Sequence, residues 1–200
     1  TLMNYKNRQY IAAISLTTGR TTNWQAYPDN YISALAIKDT SLFIGGVFSS
    51  VYNSDYSVNY PRSYLAALST NTGLPAAWTA DADYIVNCLA IKDTLLYAGG
   101  GFTTVKGSAR NYAACIGTGG TGSVKSWAPN PNNQVYAILP SGNNVYLAGT
   151  FTTVKGSSRN YLALVNNTNG NLNAWNPNPD QRVNALAANN TTLYAGGYFA

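Results

Sequence analysis

Side chains able to carry acid–base or nucleophilic chemistry are few here: the 200-residue sequence has no His and no Glu. Losing His removes the commonest general base, every His-containing triad and every His metal site. The carboxylates are Asp29, Asp39, Asp55, Asp81, Asp83, Asp93 and Asp180. Asp39 and Asp93 sit in two copies of the same turn, "KDTS" and "KDTL", which points to turn formation. Asp29, Asp83 and Asp180 each follow a Trp by five residues, and Asn132 takes that place after Trp127. A position that accepts Asp or Asn alike suits an Asx-type turn holding a loop. The EF-hand spacing D-x-[DN]-x-[DN]-G is missing. Asp81 and Asp83 in "DADY" form the one close carboxylate pair, and nothing selects two carboxylates facing each other across a sugar. The Gly-rich "GTGGTGS" at 117–123 lacks the Lys-Ser/Thr of a phosphate loop and opens no helix, so it reads as a turn. We therefore expect no catalytic residue, no metal site and no cofactor.

The same markers that argue against catalysis keep a period. Trp24, Trp78, Trp127 and Trp175 are each followed twenty-four residues later by Phe48, Phe102, Phe151 and Phe199. Each is preceded by sixteen or seventeen residues by Arg8, Arg62, Arg110 and Arg159. The chain is thus a repeat protein of roughly fifty residues per unit. Four short strands are expected in each unit. An Ala-rich first strand ("YISALAI", "IVNCLAI") meets a tight turn, then a Gly-Gly strand ("LFIGGVF", "LYAGGGF"). A polar loop, "TTVKGSSR" in one copy, leads to a third strand such as "NYLALVN", and a fourth carries the Trp. No stretch keeps helical spacing for the length a helix needs.

This predicts an all-β fold, a β-propeller of four-stranded antiparallel blades. Small first strands would line the crowded centre, with Trp filling the rim where blades diverge, and paired glycines such as Gly99 and Gly100 would admit a neighbour. Complete blades are expected at about 31–79, 84–128 and 133–176, with half blades at 1–25 and 182–200, as one segment of a larger propeller. The repeat Arg, at the start of each third strand, should pack on aromatic rings or cap carbonyls.

The pattern "LYAGGxFTxVxGxxRNYLALxNxxxGxLxxWxPxPxxxVxAL" resembles the delta-60 type, kelch-like β-propeller repeat of bacterial cell-surface proteins, over all 200 residues. The resemblance implies an extracellular or cell-surface setting, often within a much longer chain. It implies no particular activity, because propellers host unrelated functions.

Composition agrees with a non-catalytic surface role. Twelve Lys plus Arg against seven Asp give a net charge of +5, but the cations are spread one or two per repeat, so no nucleic-acid partner is expected. No apolar run is long enough to span a bilayer, and any targeting signal is expected outside the given chain. Cys88 and Cys115 fall on the first and third strands of one unit. Two strand spacings are roughly 9.5 Å, beyond the roughly 7 Å a disulfide tolerates, so both are expected free and buried. Asn-x-Ser/Thr sequons occur at Asn166, Asn189 and Asn190.

The register breaks once. Phe48 and Arg62 are separated by the insertion "SSVYNSDYSVNYP". Its Tyr52, Asn53, Asp55, Tyr56 and Tyr60 form the candidate ligand-binding loop, for a protein or glycan partner. The further expected partners are the remaining blades of the same propeller or neighbouring subunits. The function expected is that of an adhesin, scaffold or interaction module. The alternative is a segment of a propeller hydrolase or lyase whose catalytic residues lie outside this chain.

Overall fold

A computed structural model describes residues 8–200, so the first seven residues of the expected 1–25 half unit lie outside the described residues. Among the described residues there are strands and turns and no helix. The main strands of the repeat form three antiparallel sheets of three strands each. The first sheet comprises Ile32–Lys38, Ser41–Gly46 and Leu65–Ser69. The second comprises Val86–Lys92, Leu95–Gly100 and Ala113–Gly117. The third comprises Val135–Ser141, Asn144–Gly149 and Leu162–Asn166. The fourth sheet pairs Val183–Ala188 with Leu193–Gly197. In each of the first three sheets the Gly-containing second strand is central. Asp39 and Asp93 take φ of 52° and 55° in the tight turns, a conformation Asp tolerates.

The sheets are arranged side by side in chain order, first strand next to first strand. Apolar clusters fill the spaces between them. Phe43, Leu65 and Ala67 of the first sheet meet Val86, Leu96 and Ile116 of the second, with Trp78 between. Tyr97, Ala113 and Cys115 of the second meet Val135, Leu147 and Val165 of the third around Trp127. Gly99 explains why these sheets approach closely: a Cβ there would lie 2.5 Å from Val135 Cγ1 and 2.7 Å from Cys88 Sγ. Gly100 has a different task, since its Cβ would strike the carbonyl of Ile85 within its own unit. The neighbour admitted by the glycine pair is thus a Val side chain at the first position and the unit's own backbone at the second.

The expected fourth strand is not one. After the turn, the Trp-bearing segment meets the third strand through one bridge, Leu68 with Pro75, Ile116 with Val124, or Val165 with Leu172. In the first sheet the amides of Ser69 and Ala76 make the two closing hydrogen bonds, to Leu74 and Ala67 carbonyls. The ladder stops there because the next partners lie elsewhere. Arg62 Nη2 donates to the Ala76 carbonyl at 3.1 Å, two residues before Trp78. Arg8 and Arg159 do the same to Thr22 (3.1 Å) and Asn173 (2.8 Å), and Arg110 to Lys125. Trp78 Nε1 crosses to the next sheet and donates to Gly117 O at 2.8 Å. Trp24 and Trp127 donate likewise to Ser69 and Asn166, both at 2.9 Å. Arg therefore caps a carbonyl, as one of the two expected roles, and Trp is a wedge tied to two sheets, off any strand.

The polar loop after Phe is also more ordered than its composition suggests. Thr104–Val105 pairs with Ser108–Ala109, and Thr153–Val154 with Ser157–Ser158. The intervening Lys106-Gly107 and Lys155-Gly156 all have positive φ (48° and 71°, 49° and 77°), the geometry of a type I′ hairpin turn.

Cys88 and Cys115 are both free. Across the central strand Cys88 faces Gly99 while Cys115 faces Tyr97, so they are out of register as well as two strands apart. Burial pushes the Cys88 thiol up to about 12 and the Cys115 thiol up to about 11.

Candidate binding face

The inserted loop is an enlarged version of the repeat hairpin. Ser50–Tyr52 pairs with Asn59–Pro61, and Tyr27–Pro28 from the preceding connection adds a third short strand. Val51 is buried at the position of Val105 and Val154, which anchors all three hairpins alike. The register places Tyr27, Tyr52 and Asn59 on one rung, and alternation sends their side chains to one face. Tyr56, at the tip with φ 60°, folds back onto them. Its ring lies 5.2 Å from Tyr27, edge-on, and 5.6 Å from Tyr52. Tyr56 is 52% exposed and Tyr52 and Tyr60 are half-buried, so none is enclosed between sheets. Tyr60 pairs across from Val51, on the neighbouring rung.

Asn53 and Asp55, expected with the tyrosines as ligand contacts, have other work. Asn53 Oδ1 accepts from Val58 N at 2.9 Å and its Nδ2 donates to Ser57 Oγ at 3.0 Å. Asp55 Oδ1 accepts from Ser57 Oγ (2.7 Å) and Ser57 N (3.0 Å). Those bonds, the Ser57 hydroxyl first, hold the Asp55 carboxyl below the usual value. Both residues build the tip that presents the rings.

The repeated Asp/Asn position is a latch between distant segments, where a local Asx turn was expected. Asp83 accepts from Thr103 Oγ1 at 2.6 Å, Thr103 N at 2.8 Å and Thr104 N at 2.9 Å, twenty residues on. Asp29 holds Ser49 in the same way, Asn132 holds Thr152 and Thr153, and Asp180 accepts from Ala200 N at 3.1 Å. Asp81 Oδ1 accepts from Ser63 N at 2.9 Å, which ties it to the segment leading into Leu65–Ser69. The Asp81–Asp83 pair thus serves two separate structural bonds. No group of three or more metal-ligating side chains occurs among the described residues.

A second set of residues was not read from the sequence. Every first strand carries a β-bulge at its start, between Ile32 and Ala34, Val86 and Cys88, Val135 and Ala137, and Val183 and Ala185. The extra residues are Ser33, Asn87, Tyr136 and Asn184. Two residues before each, across a constant Ile or Val, is a position at which the units differ, occupied by Tyr31, Ile85, Gln134 and Arg182. The carbonyls of these four accept from the amides of Val47, Gly101, Thr150 and Tyr198, which directly follow the second strands. The bulges therefore lie at the same end of the sheets as the inserted hairpin. Asn87 Nδ2 reaches Val135 O at 3.2 Å and Gln134 Oε1 at 3.4 Å, bridging adjacent units. The Arg182 guanidinium lies 4.1 Å over the Tyr198 ring and 5.9 Å from the Tyr136 ring. The signal available in the sequence was variation: polar or aromatic residues changing from unit to unit amid near-invariant scaffold positions.

No family model matches the chain, and no curated protein matches it. Among solved structures it is similar to the computationally designed Ika4 protein, at 17% identity and a TM-score of 0.58, over 84% of this chain and 86% of that one. It is also similar to the computationally designed Ika8 protein, at 15% identity and a TM-score of 0.61, over 92% of this chain. The chain spans about half the length of Ika8, 48%. At these identities the likeness is one of fold.

Proposed function

We propose that the chain is an arc of a β-propeller, of the delta-60 kelch-like kind, that serves as a non-catalytic recognition module of a cell-surface or extracellular protein. The arc reading is supported by successive sheets packed first strand to first strand, and by exposed Leu35 and Ile37 on the first of them, a face that further sheets would cover. The binding face is the end bearing the hairpins, and its partner is a protein or glycan.

The observation that carries the recognition role is the cluster of Tyr52 and Tyr56, on a hairpin longer than those of the next two units, with Tyr27 of the strand paired to it. A tolerated insertion would be expected to carry small polar residues. This one gathers large rigid rings with polar tips, braces them by Asn53 and Asp55, and leaves Tyr56 exposed with Tyr27 and Tyr52 half-buried beside it. Tyr52→Ala with Tyr56→Ala should weaken retention on a protein and glycan array by at least about tenfold, while the melting temperature stays close to the parent's. Cutting the hairpin to the eight-residue spacing of the other units should do the same. Retained binding in both variants would remove this face from consideration.

A further inference from the structure

We infer that the groove between the second and third sheets, beside Lys125, binds a small monocarboxylate that carries an apolar ring. The groove opens where the second strands begin, at the opposite end of the sheets from the inserted hairpin. It is therefore a second site, independent of the recognition face.

The groove holds about 330 Å³, and its lining includes Leu95, Cys115, Lys125 and Trp127 of the second unit with Asn167 and Thr168 of the third. Both flanking units are complete, so no further unit is left to cover it. The repeat supplies its own comparison. The groove between the first and second sheets holds about 210 Å³, with Ser41, Thr118 and Gly119 at the places of Leu95, Asn167 and Thr168. Its cation, Lys38, is already paired with Asp39 at 3.6 Å. No carboxylate lines the second groove, and its cation comes from another position. Lys125 stands where the first unit has Ala76. It donates to Ser123 Oγ at 2.9 Å, which leaves two of its three N–H donors for a ligand. Gly117, in the place of Ser69 and Asn166, makes room for it: a Cβ there would lie 2.9 Å from Ser123 Oγ and 3.4 Å from Lys125 Cε. Tyr97, in the place of Phe43, sends its hydroxyl to Asn167 O at 3.4 Å and ties that wall to the second sheet.

These exchanges define what fits. Trp127 and Cys115 are each 1% exposed and form an apolar floor with Leu95. A flat ring covers such a floor, and its burial drives binding. Burial raises the Cys115 thiol while the Lys125 charge acts against that rise, so the ammonium lies within electrostatic reach of the floor. One ammonium balances the single charge of a carboxylate. A phosphate, with nearly two charges, calls for an Arg fork or a second cation, and neither lines the groove. A cationic ligand would find no carboxylate to pair with. The volume lies at the lower end for small-molecule sites, which limits the ligand to one ring with a short acid chain.

The test follows the indole Nε1–H signals of the isotope-labelled intact chain during titration with phenylacetate and, separately, with neutral phenylacetamide. Phenylacetate should shift the Trp127 signal and leave that of Trp78, its counterpart between the first and second sheets. It should bind at least about fivefold more tightly than the amide, with the preference falling as salt is added. Lys125→Ala, the residue of the first unit, should remove the preference without lowering the melting temperature. Leu95→Ser, matching Ser41, should weaken both ligands alike and keep the preference. No shift at Trp127, equal affinity for acid and amide, or a preference that survives Lys125→Ala would each overturn the inference. Array binding through Tyr52 and Tyr56 is read at the other end of the sheets, so failure of either site leaves the other standing.

Discussion

Trp127 shows how one side chain joins two sheets. It is 1% exposed, lies edge-on to Tyr97 at 5.2 Å in its own unit, and donates to Asn166 O at 2.9 Å in the next. Trp127→Ala should lose about 3–5 kcal/mol in urea unfolding, the range for emptying a large buried site. Trp175 is 37% exposed with the same edge-on contact to Tyr146, and Trp175→Ala should lose well under half as much. Equal losses would contradict the wedge role. The cysteines give a second residue-scale test with a definite sign. A thiol raised from 9.0 to about 12 in the folded state keeps its proton where the unfolded thiol has lost it. Its stabilising contribution is therefore complete below pH 9 and declines as pH rises toward 12. Cys88→Ala with Cys115→Ala, residues already found at the equivalent Ala34 and Ala67, should flatten stability against pH between about 9 and 11 relative to the parent. Both native thiols should resist alkylation until the chain unfolds.

At the level of elements, two glycines in one unit separate two reasons for the same residue. Gly107 has φ 71° and open space around it, so Gly107→Ala meets only backbone strain, about 1 kcal/mol. Gly100→Ala drives a methyl into the Ile85 carbonyl, which belongs to a hydrogen-bonded bulge and cannot rotate away. It should destabilise by clearly more, and paired thermal melts of the two variants will show the order. The hairpins follow the same logic. Lys-Gly at the tip needs only a two-residue type I′ turn, whereas the Asn53–Val58 tip is held by side-chain bonds from Asn53 and Asp55. Losing Asp55 should therefore disorder the tip and scatter Tyr56 without touching the sheets.

For the molecule as a whole, cohesion comes from packing between neighbouring sheets and from directed hydrogen bonds. A single surface ion pair, Lys38–Asp39 at 3.6 Å, occurs among the described residues. The melting temperature should accordingly shift little between low and high salt, since screening has few charge pairs to weaken. Stability should vary along the chain, as expected when each repeat contacts only its neighbours. The second strand Leu95–Gly100 is bonded on both edges, while Leu193–Gly197 has a partner on one edge among the described residues. Amides of Leu193–Gly197 should therefore exchange fastest among the four second strands of this 200-residue chain. Uniform protection would show that the last sheet is covered by something else in solution.

The all-β class, the period, the three main strands of each complete unit and the absence of His and Glu were determined by the sequence, because periodicity and turn chemistry act over a few residues; the strand expected in "QYIAAISL" of the first half unit is reduced to one bridge, Ile14 with Thr21. The tyrosine loop was legible for a related reason, as a break in an otherwise steady register. Three other features depend on partners far along the chain. The would-be fourth strand was decided by Arg62 and its counterparts capturing its carbonyls and by Trp crossing to the next sheet. The Asp/Asn latch spans twenty residues, so five-residue spacing from Trp could show its recurrence but not what it holds. The bulges were hidden because one extra residue at a strand's start leaves the apolar pattern after it intact. Only the pairing register, Val183 with Gly197 and then Ala185 with Gly196, exposes it and sets Arg182 beside Tyr198. Local physics could thus name the scaffold, while the placement of its variable residues was settled by how strands from distant parts of the chain pair and how the sheets stack.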